Sequence, residues 1–490
     1  MNNFVNVADS VGSGGFRIAH RLKRLLANFY DRHFVLPPHR GVRPLYWCGL
    51  EIPLYVLPLF FYYNRRALLR FYQLRLRGLN PAVVLYLNEA DGRFTRAAQL
   101  SAERTDMVLF KLHKHLLGAE LFIFSRGPKR TVGFYDDARM IYMETWNEQN
   151  RKDYFSYCLK FVKAFRFVLG RWDLLLGGSN NDRLAVELIG AFQSLGGSAV
   201  ICEREGTGTD YSYEGEAECF KASQSIQAHY IFTANEKHRQ MFNHARLPSV
   251  REIKVLGELD TDFWFHWNRQ FVRPEYKAWD SYRKKFLFLT FGVRNYIEPY
   301  LFPQYPEISW SQLLSDTEDE VFKLACTNPD VLVFYKMGHL EDNNKAFIKK
   351  CKDAGLTNVV ALDRSFPCEE LMLYSDAIIG FQTTALFEAL FTQKPVLFLK
   401  WAIPDCIDQK TQMLPIDRLD AVDVAHSKSE LADWIRRWLE DDKSLADMTP
   451  ERLAARKRTR EIMFFDADGR GGEKLVLELE RLLKESSFER

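Results

Sequence analysis

The sequence predicts an α/β protein made of two doubly wound, Rossmann-like domains facing a cleft, and three observations carry that expectation. The 490 residues exceed what one core usually supports, so two domains are the default. Short apolar runs alternate with segments of helical period along most of the chain, the pattern of strand–helix units and a mostly parallel sheet. At Thr261–Lys284 the text turns aromatic, charged and irregular (TDFWFHWNRQFVRPEYKAWDSYRK), and the alternation then restarts.

Composition excludes several classes. A hydrophobic share of 47% and a charged share of 27% are those of a folded globular protein, not a disordered one. A net charge of +3, with no basic block interleaved with stacking aromatics, argues against nucleic acid as a partner. The eight cysteines form no C-x-x-C pair and several fall in apolar runs, which fits reduced thiols in a cytoplasmic protein rather than a disulfide framework or a structural zinc site. The N-terminus, MNNFVNVADSVGSGGF, lacks the basic start and apolar core of a secretory signal.

Residues 1–43 read as an N-terminal extension and 44–260 as the first domain. Pro44–Tyr63 is about long enough to span a bilayer, but Glu51 and Pro44, Pro53 and Pro58 spoil a simple spanning helix. The pattern predicts instead a strand at Leu45–Ile52 and a helix through Arg77. That helix's aromatics, with Arg65, Arg66, Arg70, Arg75 and Arg77, suit docking on a membrane surface. A strand is expected at Ala82–Leu87, a helix at Met107–Leu117 and an extended run at Glu120–Phe124. Strands then follow at Trp172–Leu176, Ser198–Glu203, Ala228–Thr233 and Ile253–Leu256, with helices at Arg183–Leu195 and Glu236–His244.

Residues 261–284 read as a linker and 285–471 as a second, nucleotide-binding domain closed by a helix within 472–490. Its strands are expected at Phe286–Thr290, Val331–Lys336, Val359–Leu362, Ala377–Ile379 and Pro395–Leu399, and its helices near Asp316–Thr327 and at Asn343–Ala354 and Thr384–Thr392. Two such domains in tandem describe the GT-B architecture, where ligands bind facing the carboxyl ends of both sheets.

Polar residues at the predicted strand ends are therefore the candidates for chemistry. The turn Gly380–Thr384 places Gln382, Thr383 and Thr384 at a helix start, where free N–H groups favour an anion such as a nucleotide phosphate. Thr383 or Thr384 acting as a plain helix cap is the competing reading. Glu388 lies on the same helix face as Thr384 and is placed to bond a ribose or base. Arg294, after Gly292, suits bidentate pairing with a phosphate. Lys336 and His339 end another strand, and Arg364 ends the next. In the first domain, Ser198–Glu203 runs into a loop carrying Glu203, Glu205 and Asp210, carboxylates suited to general base or nucleophile work. A solvated acidic turn is the alternative. Gly206 and Gly208 give that loop freedom to adjust. Gly177–Asp182 reads either as a ligand approach or as a capped turn. No Asp-x-Asp in a loop after a strand offers a convincing metal seat.

In their order these motifs resemble the bacterial surface-carbohydrate (capsule and O-antigen) biosynthesis glycosyltransferases, a GT-B group similar to the Kdo transferases. More distantly they resemble the CDP-polyol phosphotransferases and the polysialyltransferases. Glu203-Arg204-Glu205-Gly206 resembles the family's acidic Glu-Gly element, and Ala228–Phe242 the strand and helix after it. Lys336–His339 resembles the basic His-Pro element that contacts the donor nucleotide. Gly380–Leu390 is similar to the Ser/Thr-rich turn and Glu-bearing helix that hold phosphate and nucleotide, and Asp466–Lys474 to the closing Asp-Gly-Lys element. Leu340 stands where the family's Pro follows the His, Gln382 where a smaller residue is commoner, and Arg204 splits the acidic pair.

The resemblance implies a transferase that uses a nucleotide-sugar donor, and no cofactor is expected beyond it. The lack of a convincing Asp-x-Asp fits metal-independent chemistry in which Lys336, His339, Arg294 and the helix dipole neutralise the leaving phosphate. CMP-Kdo or another CMP-activated acidic sugar would be that donor, and a glycan or lipid-linked precursor the acceptor. Peripheral contact with the inner face of the cytoplasmic membrane is the expectation from the Phe60–Arg77 helix, not from the resemblance. A CDP-polyol phosphotransferase, a sugar-nucleotide epimerase and a non-catalytic polysaccharide-assembly protein are the alternatives.

Overall fold

The computed structural model describes residues 56–88, 94–113, 148–177, 183–203, 208–223, 226–266, 273–291, 310–337, 345–362, 366–418, 420–441, 443–446, 448–465 and 467–488. Two six-stranded sheets organise them. The first contains β1 (Ala82–Asn88), β2 (Met107–His113), β3 (Leu174–Gly177), β4 (Ser198–Cys202), β5 (Tyr230–Thr233) and β6 (Glu252–Val255), in the order β2-β1-β3-β4-β5-β6. The second contains β7 (Lys284–Leu289), β8 (Val331–Lys336), β9 (Val359–Leu362), β10 (Ala377–Gly380), β11 (Val396–Leu399) and β12 (Asp423–Ala425), in the order β12-β11-β10-β7-β8-β9. Every pairing is parallel. Helices cover both faces, which is why the central strands are buried apolar runs rather than alternating ones.

The strand order of the second sheet reverses between β7 and β10, and that of the first between β1 and β3. At such switch points neighbouring loops diverge to opposite faces and leave a crevice at the carboxyl ends. Core packing fixes the turn out of β10: a Cβ on Gly380 would lie 3.2 Å from Leu289 Cβ and 3.4 Å from both Leu386 methyls.

Several sequence expectations change. Of the helix expected over Met107–Leu117, the described part, Met107–His113, is instead an edge strand, buried on both faces at Met107–Phe110. A strand covered on both sides shows no alternation, so its apolar run can be mistaken for a helix. Its open edge is closed by Asn64, whose Oδ1 accepts from Lys111 N at 2.6 Å and whose Nδ2 donates to Lys111 O at 2.8 Å. One side-chain amide thus stands in for a neighbouring strand. The helices Thr95–Ser101, Glu148–Leu169, Asp210–Ser223, Lys428–Leu439 and Pro450–Phe464 had no counterpart in the sequence reading. The helix expected over Thr384–Thr392 is one α-turn, Ala385–Glu388, followed by a 3-10 turn, Ala389–Phe391. The runs Leu45–Ile52 and Glu120–Phe124 lie outside the described residues.

The chain does not run simply from one sheet to the other. Thr261–Lys284 includes the helices Asp262–His266 and Pro274–Ala278 and ends on the first residue of β7. The last helix, Gly471–Phe488, returns to the first sheet and buries Leu475, Val476, Leu479 and Leu482 against Val84, Leu174, Leu176 and Val200. The crossing is pinned by Asp262, whose two carboxylate oxygens accept from Gly471 N at 2.7 Å and Gly472 N at 2.8 Å. A Cβ on Gly472 would lie 3.0 Å from Ala97 N and closer still to Arg96, so this helix start has no room for a side chain.

Candidate functional site

The residues that follow β4, β5 and β6 meet the second domain. Tyr211 N donates to Thr411 O at 3.1 Å, Asn235 Nδ2 to Met463 O at 2.9 Å, and Glu258 N to Phe464 O at 3.3 Å. The carboxyl end of the first sheet therefore borders the groove between the domains.

On the second domain, Leu289 of β7 pairs with Gly380 of β10 on one side and with Lys336 of β8 on the other. Lys336 and Gly380 thus stand on one row, two strand spacings or roughly 10 Å apart, at the same sheet edge. The turn after Gly380 carries the predicted phosphate seat. Gln382 is 4% exposed; its Oε1 accepts from Leu414 N at 2.6 Å, and its buried Nε2 has no hydrogen-bond partner among the described residues. Thr383 Oγ1 accepts from Ala385 N at 3.3 Å, a local turn contact, while Thr384 makes no side-chain cap. A helix this short carries little macrodipole, so an anion seat here would rest on the N–H groups of the turn. Glu388 and Lys336 both act on the Cys368 thiol. Desolvation pushes its pKa well up, Glu388 and Glu369 push the same way, and Lys336 opposes them. The ends of β8 and β10 and the Cys368–Tyr374 helix therefore share one electrostatic neighbourhood. Arg294, His339 and Arg364 lie outside the described residues.

In the first domain, Glu203 directly follows β4 and is buried, its N–H donating to Phe232 O at 2.8 Å. Glu205 lies outside the described residues. Asp210 is not a loop residue: it opens the Asp210–Ser223 helix, capped by Thr209, whose Oγ1 accepts from Ser212 N at 3.0 Å. Its carboxylate pairs with Lys237 Nζ at 2.5 Å and lies 3.9 Å from Arg418 of the second domain. Asp210 is thus an ion-paired link between domains. Gly208 is tied rather than free. Its N–H donates to Tyr213 Oη at 3.0 Å, and a Cβ there would lie 2.8 Å from Ser212 Oγ. Burial pushes the Tyr213 phenol up to about 12, so it stays protonated.

Sequence reasoning missed Lys237, Arg418, Asp262 and Cys368. Lys237 meets Asp210 from 27 positions away and Asp262 meets Gly471 from 209 away, separations no local pattern marks. The visible trace was an acidic residue amid aromatics in Thr261–His266 and a glycine-rich helix start at Gly469–Gly472.

No protein-family model and no curated protein matches the sequence. Solved structures do match in fold. A candidate UDP-N-acetylglucosamine 2-epimerase from Listeria monocytogenes aligns with a TM-score of 0.51 at 12% identity, over 83% of this chain and 98% of that one. The UDP-GlcNAc 2-epimerase from Methanocaldococcus jannaschii aligns with a TM-score of 0.50 at 13% identity, over 82% and 100%. Two parallel six-stranded sheets, each with a switch point in its strand order, define the class: this is an α/β protein of the GT-B fold.

Proposed function

We propose that this chain is an enzyme acting on a nucleotide sugar, and specifically a glycosyltransferase. It would move Kdo or another CMP-activated acidic sugar to a surface polysaccharide of the capsule or lipopolysaccharide type, or to its lipid-linked precursor, on the cytoplasmic side. The observation that supports the reading is the β7/β10 switch point. The Gly380–Thr384 turn and Lys336 share its edge, and Gln382 holds a buried donor with no partner among the described residues. An unpaired buried amide costs roughly 1–3 kcal/mol, which a phosphate or ribose oxygen would recover. Lys336, with Arg294 and His339, would neutralise the leaving phosphate as the anomeric C–O bond breaks. Glu205 or Glu203 would take the proton of the acceptor hydroxyl whose oxygen forms the new bond, or would itself accept the sugar as a covalent intermediate. Asp210 serves better as the interdomain link.

An epimerase reading stays beside it, favoured by the fold shared with two proteins named as UDP-GlcNAc 2-epimerases. Thermal shift against CMP, CDP, UDP, UMP and GDP tests both. A CMP preference supports the transferase donor, and a UDP preference with product from donor alone supports the epimerase. A response to none of the five removes the enzyme reading.

A further inference from the structure

The Val56–Leu76 helix carries two apolar stripes, and only one is used by the core. Phe60, Leu68, Phe71 and Leu74 are buried against the first sheet. On the other side Phe61, Tyr62, Leu69, Tyr72 and Leu76 are exposed, Tyr62 by 59%, Leu69 by 62% and Leu76 by 88%. At 3.6 residues per turn these five span about 100° of the circumference. Next to them stands Phe167, 81% exposed near the end of the Glu148–Leu169 helix, which is joined to this face by Tyr72 Oη donating to Val168 O at 3.2 Å. A soluble surface seldom groups this many large apolar side chains without using them.

Cations frame the stripe. Arg65, Arg66 and Arg75 on the helix, Arg77 after it, and Lys163 and Arg166 beside Phe167 are exposed, and the helix holds no Asp or Glu. Arg65 lies 5.5 Å from the centroid of the Tyr62 ring, its charged end among the exposed aromatics. Arg70 is the exception, turned inward to donate to Ser101 O at 2.8 Å. No helix among the described residues is long and apolar enough to cross a membrane.

The geometry points to this face as the docking surface for an anionic lipid bilayer, with the helix lying in the headgroup layer. Aromatic and leucine side chains enter the acyl boundary while the arginines meet lipid phosphates. A second copy of the chain is the poorer occupant, because a two-fold contact would set arginine against arginine without a carboxylate on the helix to answer. The inference stands independently of the nucleotide reading, since it uses none of the strand-end residues of the candidate site.

The test is co-sedimentation of the full chain with vesicles of phosphatidylcholine alone or mixed with phosphatidylglycerol, at low and high salt. The expected result is binding to the anionic vesicles at least tenfold above the neutral ones, weakened by salt. A Leu69→Ser, Leu76→Ser, Phe167→Ser variant and an Arg65→Gln, Arg66→Gln variant should each lose at least tenfold. Their thermal midpoints should not change, because the altered side chains are exposed. Equal or absent binding to both vesicle types overturns the proposal, as does full binding by both variants. A dimer that the Ser variant dissolves, in a chain that ignores vesicles, would assign the face to a second copy and overturn it as well.

Discussion

At the scale of single residues, burial decides which titratable groups act and which only shape the fold. His238 is buried against Phe242, ring centroids 5.0 Å apart, with Nδ1 unpartnered among the described residues. Desolvation holds its imidazole down at about 4, against an ordinary 6.5. Below pH 6.5 the unfolded chain binds a proton that the folded chain refuses. The neutral form's contribution is therefore complete above pH 6.5 and is lost as pH falls toward 4, about 3 kcal/mol in all. Urea titrations at pH 7 and 5 should show roughly 2 kcal/mol of this loss, and His238→Phe should flatten the difference. For the chemistry, Glu205→Gln is expected to lower turnover roughly 100-fold while leaving nucleotide affinity unchanged, with Glu203→Gln next. Wild-type turnover in both would move the reacting carboxylate elsewhere. Asp210→Asn should act differently. It releases Lys237 and Arg418, so donor KM and domain closure should shift more than kcat.

At the scale of elements, the edge of the first sheet shows how one side chain completes a secondary structure. Asn64 supplies both halves of a backbone pair to Lys111. Asn64→Leu keeps the branched shape and strands a donor and an acceptor, so chemical denaturation should show a loss of roughly 1–3 kcal/mol. Amide exchange should rise at Lys111 while β4 and β5 stay protected. Arg456 plays a like part in the second domain. It is buried and donates to Ala421 O at 3.0 Å, Thr392 O at 2.7 Å and Lys394 O at 2.9 Å. It thereby ties the turn ahead of β11 and the approach to β12 to the Pro450–Phe464 helix.

At the scale of the molecule, the two domains are joined by a crossing as well as by a groove. The Gly471–Phe488 helix belongs by packing to the first sheet, and Lys254–Glu478 and Arg481–Glu252 pairs hold its outer side. Asp262 accepts from the two N–H groups at its start. Asp262→Ala should release that start, raise amide exchange across Gly471–Leu475 and cost roughly 1–3 kcal/mol. Unchanged exchange there would show that side-chain packing alone carries the crossing.

Local periodicity by itself determined the alternation of strand and helix, the restart at β7 and the strand-end positions of Lys336 and Gln382–Thr384. Those features follow from burial patterns a few residues long, which the chain writes in order. Only the tertiary structure decided that Met107–His113 is a strand, since an edge strand covered on both faces loses its period. It alone turned Asp210 from a loop carboxylate into a helix-opening ion pair with partners in both domains. It also set Asp262 under the last helix, a contact between residues some two hundred positions apart, where sequence neighbours carry no record of what folds against them.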